Sequence, residues 1–252
     1  MAKKKQPAAK KKAAKKAKRA VAYDPAPRAL LACTACPRLV AHREAMATTK
    51  RKAFADQAYW GRPVPGFGDI LGPVLMLGLA PGAHGSNRTG RMFTGDASGD
   101  FLFPALHRAG FASQPVATSR DDGMTLRGVF ITAAGRCAPP DNKPTRDELL
   151  NCRPWLQRDV AAMTRLRVVI ALGLIGHTAW LDLLAAAGQK VVKADWKFAH
   201  GAEHSGLPGT DVILLDSYHV SAQNTFTGKL TPDMFDAVLC RARELGGLDA
   251  PP

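Results

Sequence analysis

The chain has 252 residues, of which 46% are hydrophobic, and it carries a formal net charge of +14. This length and apolar content suit one α/β domain with a substantial core. No apolar run is long enough to span a membrane, and the charged start lacks the apolar segment of a secretory signal. These features exclude a membrane-spanning protein and a secreted protein, and they predict a cytoplasmic one.

The basicity is concentrated at the start of the chain. The first 20 residues hold ten Lys or Arg and no acidic residue, so they contribute +10 of the charge. Their Lys/Ala composition lacks the apolar residues that would offset the entropy of ordering. We therefore predict a disordered basic tail over residues 1–24 and a single domain over residues 25–252. Composition leaves two roles open for the tail: binding a polyanion, or acting as a solubilising linker.

The rest of the chain alternates between strand and helix patterns. Helical character over 26–47 is interrupted at Cys36 and Pro37, and 50–69 is irregular. Apolar runs predict four strands, at 74–79, 129–133, 168–172 and 212–216. Helical patterns follow them at 98–109, from a capping box at 145–148, at 177–187 and at 231–245. This alternation predicts an α/β fold with a central, mostly parallel four-stranded sheet covered on both faces.

The segment 78–96, directly after the first strand, is dense in Gly, Asn and Arg. Glycines let the backbone approach a bound group closely, and the carboxyl end of a parallel strand is where open α/β sheets bind ligands. The spacing fits neither the phosphate-loop pattern nor the dinucleotide-binding pattern. The segment is therefore predicted to bind a ligand of another kind.

Four of the five cysteines suggest a shared site. Cys33 and Cys36 form a Cys-x-x-Cys pair, Cys137 follows the second strand and Cys152 lies in the next helical pattern, whereas Cys240 is interpreted as a small core residue. Disulfides are not expected in a chain without an export signal, so the four thiols predict a site that clamps the N-terminal segment onto the domain. Zinc and an iron–sulfur cluster both fit four thiolates. Unrelated free thiols are the third interpretation, and spacing does not choose among them.

Four separated blocks give the chain a specific resemblance. They are PVPGFGD at 63–69, GLAPGAHGSNRTGRMFTGD at 78–96, RCAPPDNKP at 136–144 and HVSAQNTFTGK at 219–229. The pattern resembles family 5 (type B) of the uracil-DNA glycosylase superfamily, over about residues 30–245. The resemblance implies a three-layer α/β/α sandwich and an enzyme that excises uracil from DNA for base-excision repair. It also implies a [4Fe-4S] cluster held by Cys33, Cys36, Cys137 and Cys152.

Cleavage of a base from deoxyribose requires that the nucleotide leave the helix and that a pocket hold the base. Phe93 offers an aromatic face on which a flipped base stacks. His219 is predicted to donate a hydrogen bond to O2 of the leaving base. A core role for Phe93 and a structural role for His219 are the alternatives. The other predicted pocket residues are Gly78, Ala80, Gly82, Ser221 and Asn224.

The group that activates the water is less evident. The superfamily usually has Asp, Asn or Glu in its first motif, where this chain has Leu79, Ala80 and Pro81. The candidates are Asn87 and Asp96, and a third option is that DNA phosphates stabilise the oxocarbenium-like sugar without either side chain. Asp96 also has an ordinary role available, as the cap of the helix that begins near residue 98.

Selectivity is expected to be relaxed. Ala133 and Ala134 lack the amide with which relatives read the base, so we expect uracil, hypoxanthine and ethenocytosine as substrates. No residue in the blocks resembles a Schiff-base lysine, which predicts a monofunctional glycosylase.

Basic residues in or beside the strand-end loops are predicted to follow the DNA phosphates. We expect DNA as the partner, a monomer, no membrane contact and a location at the nucleoid. Two rivals remain: a non-catalytic iron–sulfur protein that binds DNA or senses damage, and an enzyme that acts on free nucleosides or nucleotides. The predicted phosphate contacts are Arg88, Arg91, Arg136, Lys143 and Lys229.

Overall fold

The computed structural model describes residues 23–249. The strands in this range are β1 (Phe67–Gly68), β2 (Val74–Gly78), β3 (Val129–Ala133), β4 (Val168–Leu172), β5 (Glu203–His204) and β6 (Ile213–Ser217). The helices are α1 (Arg28–Leu31), α2 (Pro37–Thr49), α3 (Ser86–Thr89), α4 (Ala97–Arg108), α5 (Arg146–Ala162), α6 (Gly173–Ala186), α7 (Ala222–Phe226) and α8 (Pro232–Gly246). The strands form one sheet in the spatial order β1-β3-β2-β4-β6-β5.

The predicted parallel centre of the sheet is confirmed. β3, β2, β4 and β6 pair in parallel, and all their residues except Ile213 are buried. Such strands are covered on both faces, so their sequences are continuously apolar. The two-residue edge strands β1 and β5 pair antiparallel with β3 and β6. They were not predicted, because two residues produce no periodic pattern.

Helices cover both faces of the sheet. Successive side chains of a strand point to opposite faces, and β2 shows this division. Val74 and Met76 share one core with side chains of α4 and α8, whereas Leu75 and Leu77 share the other with Trp180 of α6. The three-layer α/β/α sandwich is thereby confirmed.

Polar residues fix where the main helices begin. The Asp96 carboxylate accepts hydrogen bonds from the first turn of α4. Thr145 and Glu148 form the predicted capping box of α5, and Thr231 caps α8. Each cap satisfies backbone N–H groups that a helix leaves without partners. α6 begins at Gly173 rather than residue 177, directly after β4.

The folded body begins earlier than predicted. Tyr23 was assigned to the tail, but its hydroxyl donates to Asp159 Oδ1 at 2.6 Å, and its ring packs edge-on against Phe130 at 5.9 Å. Residues 1–22 of the predicted tail lie outside the described residues. Between residues 23 and 249, no helix combines the length and the apolarity that a membrane crossing requires.

Candidate active site

Three loops meet at the carboxyl edge of the sheet, after β2, β3 and β6. They enclose an open cavity of about 1570 Å³, including its mouth. The glycine-rich segment forms one wall, Asp141 to Lys143 form the second, and His219 with Ser221 to Gln223 form the third. A cavity therefore lies at the edge of the sheet where the site was predicted, and three predicted pocket residues line it: Ala80, Gly82 and Ser221.

Phe93 lines the cavity in a strained backbone conformation. Its φ of 53° lies in the left-handed region, which is uncommon for a bulky residue and is typically maintained at functional sites. Gly78 makes room for the ring, because a Cβ there would lie 2.8 Å from Phe93 Cζ. Gly78 therefore supports the aromatic face from behind and does not line the cavity.

His219 faces the same cavity as Phe93. The two ring centroids are 6.2 Å apart and the ring planes are inclined by 39°. Burial lowers the pKa of His219 to about 4, so the imidazole is neutral at physiological pH. Asn224, predicted to touch substrate, instead donates to the His219 backbone carbonyl at 2.8 Å and fixes the loop. The two side chains central to the predicted pocket do share one cavity.

Asp96 both caps α4 and lines the cavity. Its Oδ1 accepts hydrogen bonds from the N–H groups of Ser98 at 3.0 Å and Gly99 at 3.3 Å. Its Oδ2 lies over Gly82 and Gly85, where a Cβ on either glycine would collide with it. Burial raises the pKa of this carboxyl above its usual value. One carboxylate thus has a fixed oxygen in the helix cap and a second oxygen over the loop of the site.

Asn87 is not at the cavity, and its predicted role in water activation is wrong. The residue is fully buried. Its Nδ2 donates to the backbone carbonyls of Arg43 at 3.1 Å and Ala83 at 3.4 Å. Asn87 therefore ties the glycine-rich segment to α2.

Three of the predicted phosphate contacts are also wrong, because their guanidinium groups are buried. Arg91 forms a bidentate ion pair with Asp122 at 2.6 and 2.7 Å. Arg88 donates to the carbonyls of His84 and Gly95, both at 2.7 Å. Arg136 pairs with the buried Asp159. Arg88 and Arg91 hold the glycine-rich segment in shape from within.

Lys143 and Lys229 remain available to DNA. Both are exposed; Lys143 lines the cavity, and the Lys229 ammonium lies over the Tyr218 ring at 4.8 Å. Beside Lys229, Phe226 at the end of α7 is 82% exposed. Lys143 therefore lies at the cavity, whereas Lys229 and Phe226 lie on the segment that follows its His219 wall.

Several cavity residues were not predicted, and two of them have an unusual backbone conformation. Asp141 and Asn142 line the cavity with φ values of 54° and 55°. Asp and Asn are the residue types that tolerate this left-handed conformation best after glycine. The signal was present in the sequence, since an Asp-Asn pair between prolines indicates a tight, exposed turn.

The four cysteines of the predicted metal site line a second, small cavity beneath the N-terminal helices, of about 350 Å³ including its opening to solvent. All four are free thiols, and burial raises the pKa of Cys152 to about 12. Among residues 23–249, no three cysteine sulfurs lie within 4.8 Å of one another. Cys240, predicted to be a core residue, is exposed on α8. The residues that meet at this cavity are Cys33, Cys36, Cys137 and Cys152.

Nitrogen donors surround these sulfurs. Arg43 Nη1 donates to Cys137 Sγ at 2.9 Å, and the Arg136 backbone N–H donates to Cys152 Sγ at 3.2 Å. Arg43 Nε and the Nε and Nη1 of Arg136 are buried without hydrogen-bond partners. Four soft ligands with cationic donors around them suit a bound group that carries negatively charged sulfur.

The sandwich and the cavity at its carboxyl edge define the class of protein. Residues 65–243 match the family model described as the uracil DNA glycosylase superfamily, and the chain belongs to this superfamily. The resemblance predicted from the four sequence blocks is confirmed.

Relatives place the chain more closely within the superfamily. It is 54% identical over 219 residues to the Type-5 uracil-DNA glycosylase of Thermus thermophilus, which covers 87% of this chain and 96% of the relative. The Type-5 enzyme of Mycobacterium bovis is 49% identical, covering 86% and 79% of the two chains. The Type-5 enzyme of Pyrobaculum aerophilum is 44% identical, covering 87% and 92%.

Proposed function

We propose that this protein hydrolyses the N-glycosidic bond between uracil and deoxyribose in DNA and leaves an abasic site for base-excision repair. The observation that carries the proposal is the cavity that Phe93 and His219 share, with their ring centroids 6.2 Å apart. The three relatives compared above are named uracil-DNA glycosylases. A non-catalytic DNA-binding role is not favoured by relatives of this kind.

In this mechanism, the flipped base stacks on Phe93, and His219 donates its N–H to O2 of the base. Because the ring is neutral, it stabilises negative charge on the leaving base without first taking up a proton. A donor aimed at developing charge in a dry site is worth about 3 kcal/mol. Asn224 supports this step by holding the His219 backbone at 2.8 Å.

Asp96 is the side chain that we propose orients the attacking water. The helix cap fixes its Oδ1, which leaves Oδ2 over Gly82 and Gly85 to accept a hydrogen bond from water. A carboxylate there also offsets the positive charge of the oxocarbenium-like sugar. Asp141 is a second candidate, because it also lines the cavity.

The substrate range is proposed to extend to hypoxanthine and ethenocytosine. Ala133 lines the cavity and has no amide side chain with which to read a base edge. Recognition then rests on shape, stacking and backbone groups, which a modified base of similar outline also satisfies. With His219 and Asp96 as the working groups, cleavage does not pass through a Schiff base, so the enzyme is proposed to be monofunctional.

We propose that the cysteine cavity holds a [4Fe-4S] cluster with a structural role. The spread of the sulfurs supports a cluster over zinc, because one tetrahedral zinc with Zn–S distances of about 2.3 Å would draw all four sulfurs closer together. When bound, the cluster would cross-link the segment between α1 and α2, the loop after β3, and α5. Iron and sulfide analysis of anaerobically purified protein tests this assignment.

DNA is proposed to cross the cavity mouth, with Lys143 and Lys229 on its phosphates. The groups proposed to act in the reaction, Phe93, His219 and Asp96, all line this cavity, so we propose that the enzyme acts as a monomer. Residence at the nucleoid follows from a chromosomal substrate.

The deciding experiment uses the full chain with single- and double-stranded oligonucleotides that carry one uracil, followed by alkali. Strand breaks at the uracil support the proposal. Binding without breaks would overturn it in favour of a damage-sensing protein, and base release from free deoxyuridine alone would indicate a nucleosidase.

A further inference from the structure

Arg43 is a buried cation with little compensation from protein groups. Only 4% of its side chain is exposed, and its ion-pair partner Glu44 is 3.7 Å away and 61% exposed, so solvent screens that pair. Its Nη1 donates to Cys137 Sγ and its Nη2 to the Cys33 carbonyl at 3.2 Å, whereas Nε has no partner. A buried guanidinium in this position costs stability unless negative charge occupies the cavity beside it.

The proposed cluster would supply that negative charge. A [4Fe-4S] core of charge 2+ held by four thiolates has a net charge of −2. Of the two arginines that line this cavity, Arg136 is already paired with Asp159. Arg43 is therefore the arginine of this cavity whose positive charge can compensate the negative charge of the thiolates.

The same residue connects the cysteine cavity to the base-binding loop. Its backbone carbonyl accepts a hydrogen bond from the Asn87 side chain at 3.1 Å. Asn87 belongs to the glycine-rich segment that forms one wall of the active site, and its own carbonyl accepts from the Gly61 N–H at 3.0 Å. A displacement of Arg43 would therefore reach this wall through the hydrogen bond between Arg43 and Asn87.

We propose that Arg43 is a positioning residue for the cluster: it compensates the charge of the thiolates, retains the cluster in the cavity and anchors the active-site wall to it. The inference rests on the cluster assigned above. Because reduction makes the cluster more negative, the buried cation stabilises the reduced state and raises the reduction potential.

The test compares the full-length protein with Arg43→Gln, Arg43→Lys and a matched control, Arg28→Gln. The control removes an exposed positive charge from α1, outside the cavity. Iron and sulfide are measured first, then the reduction potential by protein-film voltammetry and the rate of cluster loss in excess chelator by visible absorbance.

Arg43→Gln is expected to lower the potential by about 59 mV, a tenfold change in the one-electron equilibrium, and to lose its cluster at least about fivefold faster. Arg43→Lys keeps the charge, so its potential stays near that of the wild type. Its cluster is lost faster, because one ammonium does not reproduce the forked contact with Cys137 and Cys33. Arg28→Gln behaves as the wild type.

Unchanged potentials and loss rates in both Arg43 variants would overturn the inference. If Arg43→Gln does not fold, an unchanged loss rate in Arg43→Lys is sufficient to do so. If the wild-type protein contains no iron and still excises uracil, the cluster assignment and the inference about Arg43 are both wrong, and the proposed glycosylase activity is unaffected. If the wild-type protein contains iron but does not excise uracil, the proposed glycosylase activity is wrong, and the inference about Arg43 is unaffected.

Discussion

Burial decides the protonation state of His219, and with it the way in which the residue is able to act. A neutral ring with a pKa of about 4 still carries one N–H. The sequence identified His219 and Phe93 because both lie in loops rich in glycine and short polar residues. It did not identify the neutral state, which depends on side chains brought over the ring by distant segments.

Replacement of His219 by Ala is expected to slow single-turnover uracil excision about a hundredfold, because the donor to the leaving base is lost. Binding of uracil-containing DNA should change less than twofold, since Phe93 and the lysines are retained. Rapid-quench kinetics and fluorescence anisotropy measure the two quantities. His107→Ala, on the exposed side of α4, is the matched control. A variant as fast as wild type would remove His219 from the mechanism.

The pH dependence should report on Asp96. Burial raises the pKa of this carboxyl, so the carboxylate, which is the active form, is lost as pH falls through the raised pKa. The excision rate is expected to be level where the Asp96 carboxylate is ionised and to decline on the acid side as that carboxylate takes up a proton. Asp96→Asn should remove that decline and lower the plateau about a hundredfold.

The melting temperature distinguishes the proposed catalytic role of Asp96 from its role as the cap of α4. Asn caps helices as well as Asp does, so the melting temperature of Asp96→Asn should match that of Asp100→Asn, an exposed control in the first turn of α4. If the excision rate of Asp96→Asn still declines at acid pH, another group causes that decline. The Asp141→Asn variant would then be measured in the same way.

At the scale of elements, the sequence predicted what is local and missed what depends on tertiary contacts. The four central strands are visible as apolar runs, and the caps as Asp or Thr before a helix. β5 depends on its antiparallel pairing with β6, and His204 Nε2 also donates to the buried Asp216 of β6 at 3.1 Å. The burial of Arg91 likewise depends on Asp122, 31 residues away along the chain. A charged residue in a loop was therefore interpreted as a phosphate contact, when its partner lies within the protein.

α7 presents Phe226 to solvent beside the cavity, and this exposure predicts contact with the DNA stack. An apolar side chain that enters the helix compensates for the unstacking of a flipped nucleotide. Phe226→Ala is expected to reduce excision from double-stranded DNA about tenfold, whereas single-stranded DNA, with little stack to disrupt, should be cleaved almost normally. The control is Leu71→Ala, which removes another exposed apolar side chain at a position distant from Phe226 in the sequence. Equal losses on both substrates would contradict a wedge role.

At the scale of the whole molecule, charge is distributed unevenly between the first residues and the folded body. With +10 of the formal +14 in residues 1–20, the remainder carries only about +4. The folded body therefore contributes only a small part of the net positive charge. Sequence-independent attraction to DNA is expected to come chiefly from the first residues.

Deletion of residues 1–20 should weaken binding to DNA and flatten its dependence on salt. Each phosphate contact releases condensed counterions, with a slope of about −0.9 per contact in log K against log salt, so fewer contacts give a shallower line. Cleavage at saturating enzyme should not change, because Phe93, His219 and Asp96 are untouched. Anisotropy titrations at several salt concentrations, beside single-turnover assays, measure both effects. A slope equal to that of the full chain would mean that the ten charges do not contact DNA, and the segment would then be a solubilising linker.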